Sequence, residues 1–350
     1  MSNQENGSAS RSPLPDSIHF LVPFWGLAGG IIKILDYAIH ARKLGIEATV
    51  WAPPLPEPSN PVHELPALQR LLDDPEIDFR DLDELADLST STTPPTILFS
   101  EPTHYPLIEQ ALEEPLGPRL IHLVQNTRHA NPRWLSGVNY RLLHRPMTRI
   151  AVATEVFDAV APLVNNRYEL TAIVEGHDTA YFADRPKARN APSEAPLRVL
   201  YATWKSDLGD RVAAELADDE RFRFIAIREP TGWPTLRNRY HGADIFLCAP
   251  SPQEGFYIPG LEAMAAEVAV VTALVGGNEA YVDPGVNAVV ADFDDAVSHA
   301  EALVELAENP ERRQALIDAG QATLEHHTLA RERSEFESLL RALAGSNLDP

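Results

Sequence analysis

The apolar residues of this chain fall in short runs, separated by amphipathic stretches and turn residues. I-H-F-L-V-P at 18–23 reads as a first strand, and F-W-G-L-A-G-G follows it. From 31 to 45, I-I-K-I-L-D-Y-A-I-H-A-R-K-L-G has helical spacing and ends at Gly45, where a helix C-terminus favours glycine. I-E-A-T-V-W-A at 46–52 reads as a second strand. Strand, glycine loop, helix and strand form a βαβ unit, which predicts a parallel sheet covered by helices. T-I-L-F-S, L-I-H-L-V-Q, R-I-A-V-A and Y-E-L-T-A-I-V extend that sheet.

Residues 184–196, D-R-P-K-A-R-N-A-P-S-E-A-P, are polar and proline-rich and read as a linker. A second alternation starts at Leu197, with R-V-L-Y-A, F-R-F-I-A-I, D-I-F-L-C, A-V-V-T-A and N-A-V-V-A as strands. A helical stretch from 296 to 343 closes the chain. The expected fold class is α/β, with two Rossmann-like doubly wound domains facing a cleft, at 17–183 and 197–326. The 350 residues suffice for two such domains. Residues 1–16 are rich in Ser, Asn, Pro and Gly and read as a disordered tail.

Charge narrows the function classes. With 51 acids against 29 bases the net charge is −22, which opposes nucleic-acid binding. No apolar run approaches a membrane span, and the polar N-terminus has no signal-peptide core. The single cysteine, Cys248, excludes an internal disulfide and suits a reducing cytoplasm. Between 115 and 154 there is no Asp or Glu, while Arg119, Arg128, Arg133, Arg141, Arg145 and Arg149 stand there with His122, His129 and His144. In so acidic a chain this island, Arg128, His129, Arg133 and Arg141 above all, reads as a seat for an anionic acceptor or a peripheral contact with an anionic membrane.

Candidate chemistry concentrates at 251–278, S-P-Q-E-G-F-Y-I-P-G-L-E-A-M-A-A-E-V-A-V-V-T-A-L-V-G-G-N. Pro259 suits the first turn of a helix. A helix starting there carries Glu262 in its opening turns and leaves Glu254 in the preceding loop. Both carboxylates then lie by free amides and a positive helix end, a seat for an anion. Two acids that accept hydroxyls beside a phosphate seat describe a site for a sugar nucleotide. Gly255 allows close approach to the backbone, as do Gly29 and Gly30 after the first strand. No C-x-x-C, H-E-x-x-H or strand-end D-x-D appears, so no metal is expected.

The 251–278 block resembles the E-x7-E region of retaining glycosyltransferases of the GT-B fold, glycosyltransferase family four. Its serine, both glutamates, E-G-F, L-E-A-M-A, V-V and G-G-N-E all match that pattern. E-G-H-D-T-A-Y-F at 175–182 is similar to the family's N-G-V-D-T-x-x-F, and Y-H-G-A-D-I-F at 240–246 to Y-x-x-A-D-v-f. The resemblance implies a retaining, metal-independent transferase that moves a sugar from a nucleoside-diphosphate sugar to a glycan, lipid-linked or small-molecule hydroxyl. It implies that Glu262 holds the ribose hydroxyls and Glu254 the sugar hydroxyls. Amides around Phe256 and Tyr257 would meet the sugar and diphosphate, with the acceptor entering near Gly29, Gly30, Gln125 and Arg128. It also implies a last helix, from about 327 to 345, crossing back onto the first domain.

The sequence departs from the family at the diphosphate. The family's G-R-x-x-x-K-G becomes Y-A-T-W-K-S-D-L-G at 201–209, so Lys205 is the cation on offer, with the Thr203 and Ser206 hydroxyls beside it. Losing one such contact commonly costs about 3 kcal/mol of transition-state stabilisation. A non-catalytic nucleotide-sugar-binding protein, and an epimerase or hydrolase, are therefore the alternatives. Where the family often has a histidine, Gln125 stands at a strand end, able to hydrogen-bond a hydroxyl but not to act as a base.

Overall fold

The computed structural model describes residues 13–90, 95–112, 119–131, 133, 137–164, 170–184 and 196–345. Seven parallel strands form the first sheet: β1 (Ser17–Leu21), β2 (Glu47–Ala52), β3 (Ile77–Asp81), β4 (Thr96–Phe99), β5 (Leu120–Val124), β6 (Thr148–Ala151) and β7 (Leu170–Ala172), in the order β3-β2-β1-β4-β5-β6-β7. Five parallel strands form the second: β8 (Leu197–Ala202), β9 (Phe222–Ile227), β10 (Ile245–Leu247), β11 (Ala269–Thr272) and β12 (Val289–Val290), in the order β12-β11-β10-β8-β9. The central strands are buried on both faces, which is why they read as unbroken apolar runs. Edge strand β3 instead alternates partly buried and exposed positions.

Strand order places the site. Each sheet reverses direction once, between β1 and β4 in the first and between β8 and β10 in the second. Ligands of open α/β sheets bind at the carboxyl ends of strands at such a reversal. The loops that leave β1, β4, β8 and β10 carry residues 22–28, 100–103, 203–207 and 248–257.

Helix α1 (Gly29–Lys43) follows β1 and is buried along most of its length. The C-terminal helix Leu329–Gly345 lies against it. Phe336 meets Tyr37 edge-on at 4.8 Å. Buried Lys33 bonds Glu332 at 2.9 Å, Asp36 at 3.0 Å and the Gly176 carbonyl at 2.7 Å. His40 Nε2 adds a 2.9 Å contact to Glu332. Burial pushes the Glu332 carboxyl up, but Lys33 and His40 outweigh it and hold the group below the usual carboxylate range.

Several local readings change. The helical stretch from 296 is three helices, Ala296–Glu308, Pro310–Thr323 and Leu329–Gly345, because Pro310 restarts the chain after Asn309. Residues 1–12 of the expected tail lie outside the described residues, but Leu14 packs on the core and the Asp16 carbonyl accepts from the Glu47 amide. Residues 185–195 of the expected linker also lie outside them.

Candidate active site

A cleft of about 880 Å³ opens between the two sheets at these loop ends. Gly29, Gly30, Gln125 and Arg128 line it from the first sheet, and Trp204, Lys205, Glu254 and Glu262 from the second. A shallower depression of about 550 Å³ beside Arg211 and Phe293 shares none of these residues, and its arginine is already paired with Asp207 and Asp294.

The two acids of the E-x7-E block occupy different settings. Glu254 lies in the loop after β10, and its carboxylate accepts from Lys205 Nζ at 2.5 Å. The same ammonium stands 5.2 Å from the centre of the Tyr257 ring. Glu262 lies in the helix Ile258–Ala265 and is only 4% exposed. Its Oε1 contacts His177 Nε2 at 3.2 Å, and its Oε2 accepts from the Tyr240 hydroxyl at 3.0 Å. Both oxygens keep one lone pair for a ligand hydroxyl.

The glycines serve the protein before any ligand. A Cβ on Gly255 would come 1.9 Å from the Gln125 carbonyl oxygen, so only glycine lets the two halves meet there. Next to that contact, Asn126 and Glu254 form an antiparallel bridge between the halves. The Gln125 side chain donates to the Gly30 carbonyl at 2.9 Å and fills the space where a side chain at position 30 would point. The expectation that Gly255 opens the backbone to a ligand is thus corrected, because protein occupies that space. The Tyr257 amide donates to the Gly277 carbonyl at 2.6 Å and is not available to a sugar. Phe256 and Tyr257 have buried side chains.

Residues 230–323 match the family model Glycosyl transferases group 1. The D-inositol 3-phosphate glycosyltransferase of Saccharomonospora viridis is 37% identical over 105 residues, 30% of this chain and 23% of that protein. Its counterpart from Corynebacterium efficiens is 35% identical over 156 residues, 43% of this chain and 34% of that protein. The matches thus span about a quarter to a third of the length of these curated relatives. Anabaena HepE, solved in complex with UDP-glucose, superposes with a TM-score of 0.68 at 15% identity, covering 94% of this chain and 100% of HepE. WaaG, a glycosyltransferase involved in lipopolysaccharide biosynthesis, gives 0.61 at 12% identity, over 94% of this chain and 100% of WaaG. The chain has the GT-B fold and carries a glycosyl transferases group 1 segment.

Within this GT-B cleft other expected positions shift. Thr203 is not among its lining residues, and the Thr203 hydroxyl donates to the Ile227 carbonyl at 3.4 Å. His129 lines the cleft beside Arg128, but it is buried, and its ring packs edge-on against His122 at 5.3 Å. Arg149 also leaves the surface island. It is 1% exposed and donates to the carbonyls of Leu142, Leu143, Arg145 and Met147. Arg128 lines the cleft, while Arg133 and Arg141 are exposed outside it. Sequence reasoning missed Glu175, His177 and Tyr240 as site residues. Glu175 and His177 stand where the family pattern has Asn and Val, and that mismatch was the available signal.

Among the described residues no three His, Cys, Asp or Glu side chains gather as a metal site. Among the described residues, the charged side chains that line the cleft are Arg128 and Lys205 against Glu101, Glu175, Glu254 and Glu262. Burial is the main cause that lowers four imidazoles, His19, His104, His129 and His327, to about 4. A base held neutral by folding contributes stability that is complete above the unfolded value near 6.5 and is lost as pH falls toward 4. Each contributes up to about 3 kcal/mol of this dependence. Urea unfolding at pH 7.5, 6, 5 and 4.5 should therefore show stability dropping steadily below pH 6.5. Constant stability from pH 7.5 to 4.5 would contradict the buried neutral state.

Proposed function

We propose that the protein is a retaining glycosyltransferase that moves a sugar from a nucleoside-diphosphate sugar to a hydroxyl acceptor. The observation that carries this reading is the convergence of Glu254, Glu262 and Lys205 on one cleft, opposite the N-terminal end of α1. Glu262, held from behind by His177 and Tyr240, takes the ribose hydroxyls. Glu254 takes hydroxyls of the transferred sugar. Lys205, now on Glu254, turns to the diphosphate and neutralises the leaving group. UDP-glucose, bound by the similarly folded HepE, is the first donor to test.

The bond from the anomeric carbon to the phosphate oxygen breaks while the bond to the acceptor oxygen forms on the same face. The acceptor proton passes to the departing phosphate, since Gln125 is no base. The route works without a bound metal, because Lys205 and the uncapped end of α1 face the diphosphate. Arg128 lines the acceptor side, where it would suit an anionic acceptor such as the inositol phosphate in the relatives' names. Glycan and lipid-linked acceptors fit the same side. Arg133 and Arg141, both exposed, make the peripheral contact with an anionic membrane in this reading. Among the described residues no helix is long and apolar enough to cross a membrane.

A second reading has its own support. Among the described residues two cations face four acids across the cleft, and one of the cations is tied to Glu254. That balance suits a protein that binds nucleotide sugars without turning them over.

Replacing Lys205 with alanine should lower kcat/KM for sugar transfer about 100-fold, read by release of nucleoside diphosphate in a coupled assay. An unchanged value would remove Lys205 from the leaving-group role, and no wild-type turnover across a donor panel would favour the binding-only reading. For the membrane contact, flotation with anionic vesicles at low salt should lose the protein when Arg133 and Arg141 are both made glutamine. Equal flotation of the two proteins would dismiss it.

A further inference from the structure

Glu175 lines the cleft, yet it is only 4% exposed and its carboxyl takes part in none of the side-chain hydrogen bonds of the described residues. Its surroundings are crowded with charge. Lys33 and Asp36 face it from α1, Glu332 from the C-terminal helix and Glu254 from the loop after β10. His327 Nδ1 contacts its own carbonyl at 3.4 Å, and Tyr37 adds a buried hydroxyl nearby. Lys33 has no proton to spare, because its three contacts go to Glu332, Asp36 and the Gly176 carbonyl. One cation already answers two carboxylates there. A third buried negative charge would have no partner, so Glu175 keeps its proton. Burial is the largest cause that pushes this carboxyl well above its usual range, and the neighbouring acids add to it.

The other half of the argument is the end of α1. Its N-cap residue Ala28 supplies no side-chain cap, while Ile31 and Ile32 both donate back to the Ala28 carbonyl. The amides of Gly29 and Gly30 are used by no hydrogen bond of the described residues, and both glycines line the same cleft as Glu175. A 15-residue helix thus presents a positive end to the same cleft that a buried acid with one free donor lines.

We propose that Glu175 is a binding residue whose carboxyl donates a hydrogen bond to an anionic oxygen of a ligand seated at the N-terminus of α1. The diphosphate of a sugar nucleotide is the matching class of group, so the inference rests on the donor reading above. An ionised carboxylate here would repel such an oxygen; a protonated one holds it. The family pattern has asparagine at this position, and an amide also presents a donor. Where two cations line the cleft among the described residues, a neutral acid removes one negative charge and adds one donor.

Isothermal calorimetry on the full chain at pH 7, with UDP and with inorganic pyrophosphate, tests this. E175A should weaken both probes about tenfold or more, and E175Q, which keeps a donor, should recover most of that loss. Melting curves check folding, and E175M replaces E175A if the latter unfolds. E175A binding as tightly as wild type overturns the inference, as does E175Q binding no better than E175A. If wild type binds UDP and the variants do not differ, the donor reading stands and only the role of Glu175 falls. If wild type binds neither probe, the donor reading falls and takes this inference with it.

Discussion

The carbonyl oxygen of Gln125 lies where any side chain on residue 255 would have to go. Everything in the cleft depends on that contact. It lets the loop after β10 press against the end of β5, so that Asn126 and Glu254 pair as strands do. It brings Glu254 under the same roof as Gly29 and Gly30, and it leaves the Gln125 side chain to bridge to α1. Gly277 has the matching role on the other side, since a Cβ there would strike Glu254. Glu254 is therefore positioned by backbone close packing from both halves, not by its own loop alone.

Electrostatic scarcity is the second constraint. A chain of net charge −22 has few cations to place at its cleft. The structure shows three economies. Lys205 is kept at the cleft by Glu254 and the Tyr257 ring. Glu262 is surrounded by donors, His177 and Tyr240, so its charge is already shared. Arg149 is spent on four carbonyls inside the fold and contributes nothing to the surface. Local geometry, more than net charge, decides where a phosphate can sit.

Much of the fold was legible because parallel strands buried on both faces must be apolar throughout. The runs at β4, β5, β6 and β11 announced themselves for that reason. The E-x7-E block was legible because a proline and a glutamate fix where a helix starts and which acid it carries. Glu267, just after the helix Ile258–Ala265, has φ 55°, the left-handed conformation that a helix end favours. What could not be read were contacts between distant segments. No local pattern tells that Gly255 meets Gln125, or that the His129 ring turns inward to His122. Nor could spacing reveal that the Tyr257 amide is spent on Gly277. These depend on how two sheets face each other, which is a property of the whole chain.

One methyl group tests the central claim most directly. Gly255→Ala adds only a Cβ, placed 1.9 Å from the Gln125 oxygen, and leaves every charged group in the cleft unchanged. If the site exists only when the two halves dock there, sugar transfer by this variant, measured beside wild type at saturating donor, should fall at least about 100-fold, and its melting temperature should drop because backbone atoms must move apart to admit the Cβ. Transfer at the wild-type rate by a folded G255A protein would contradict the account.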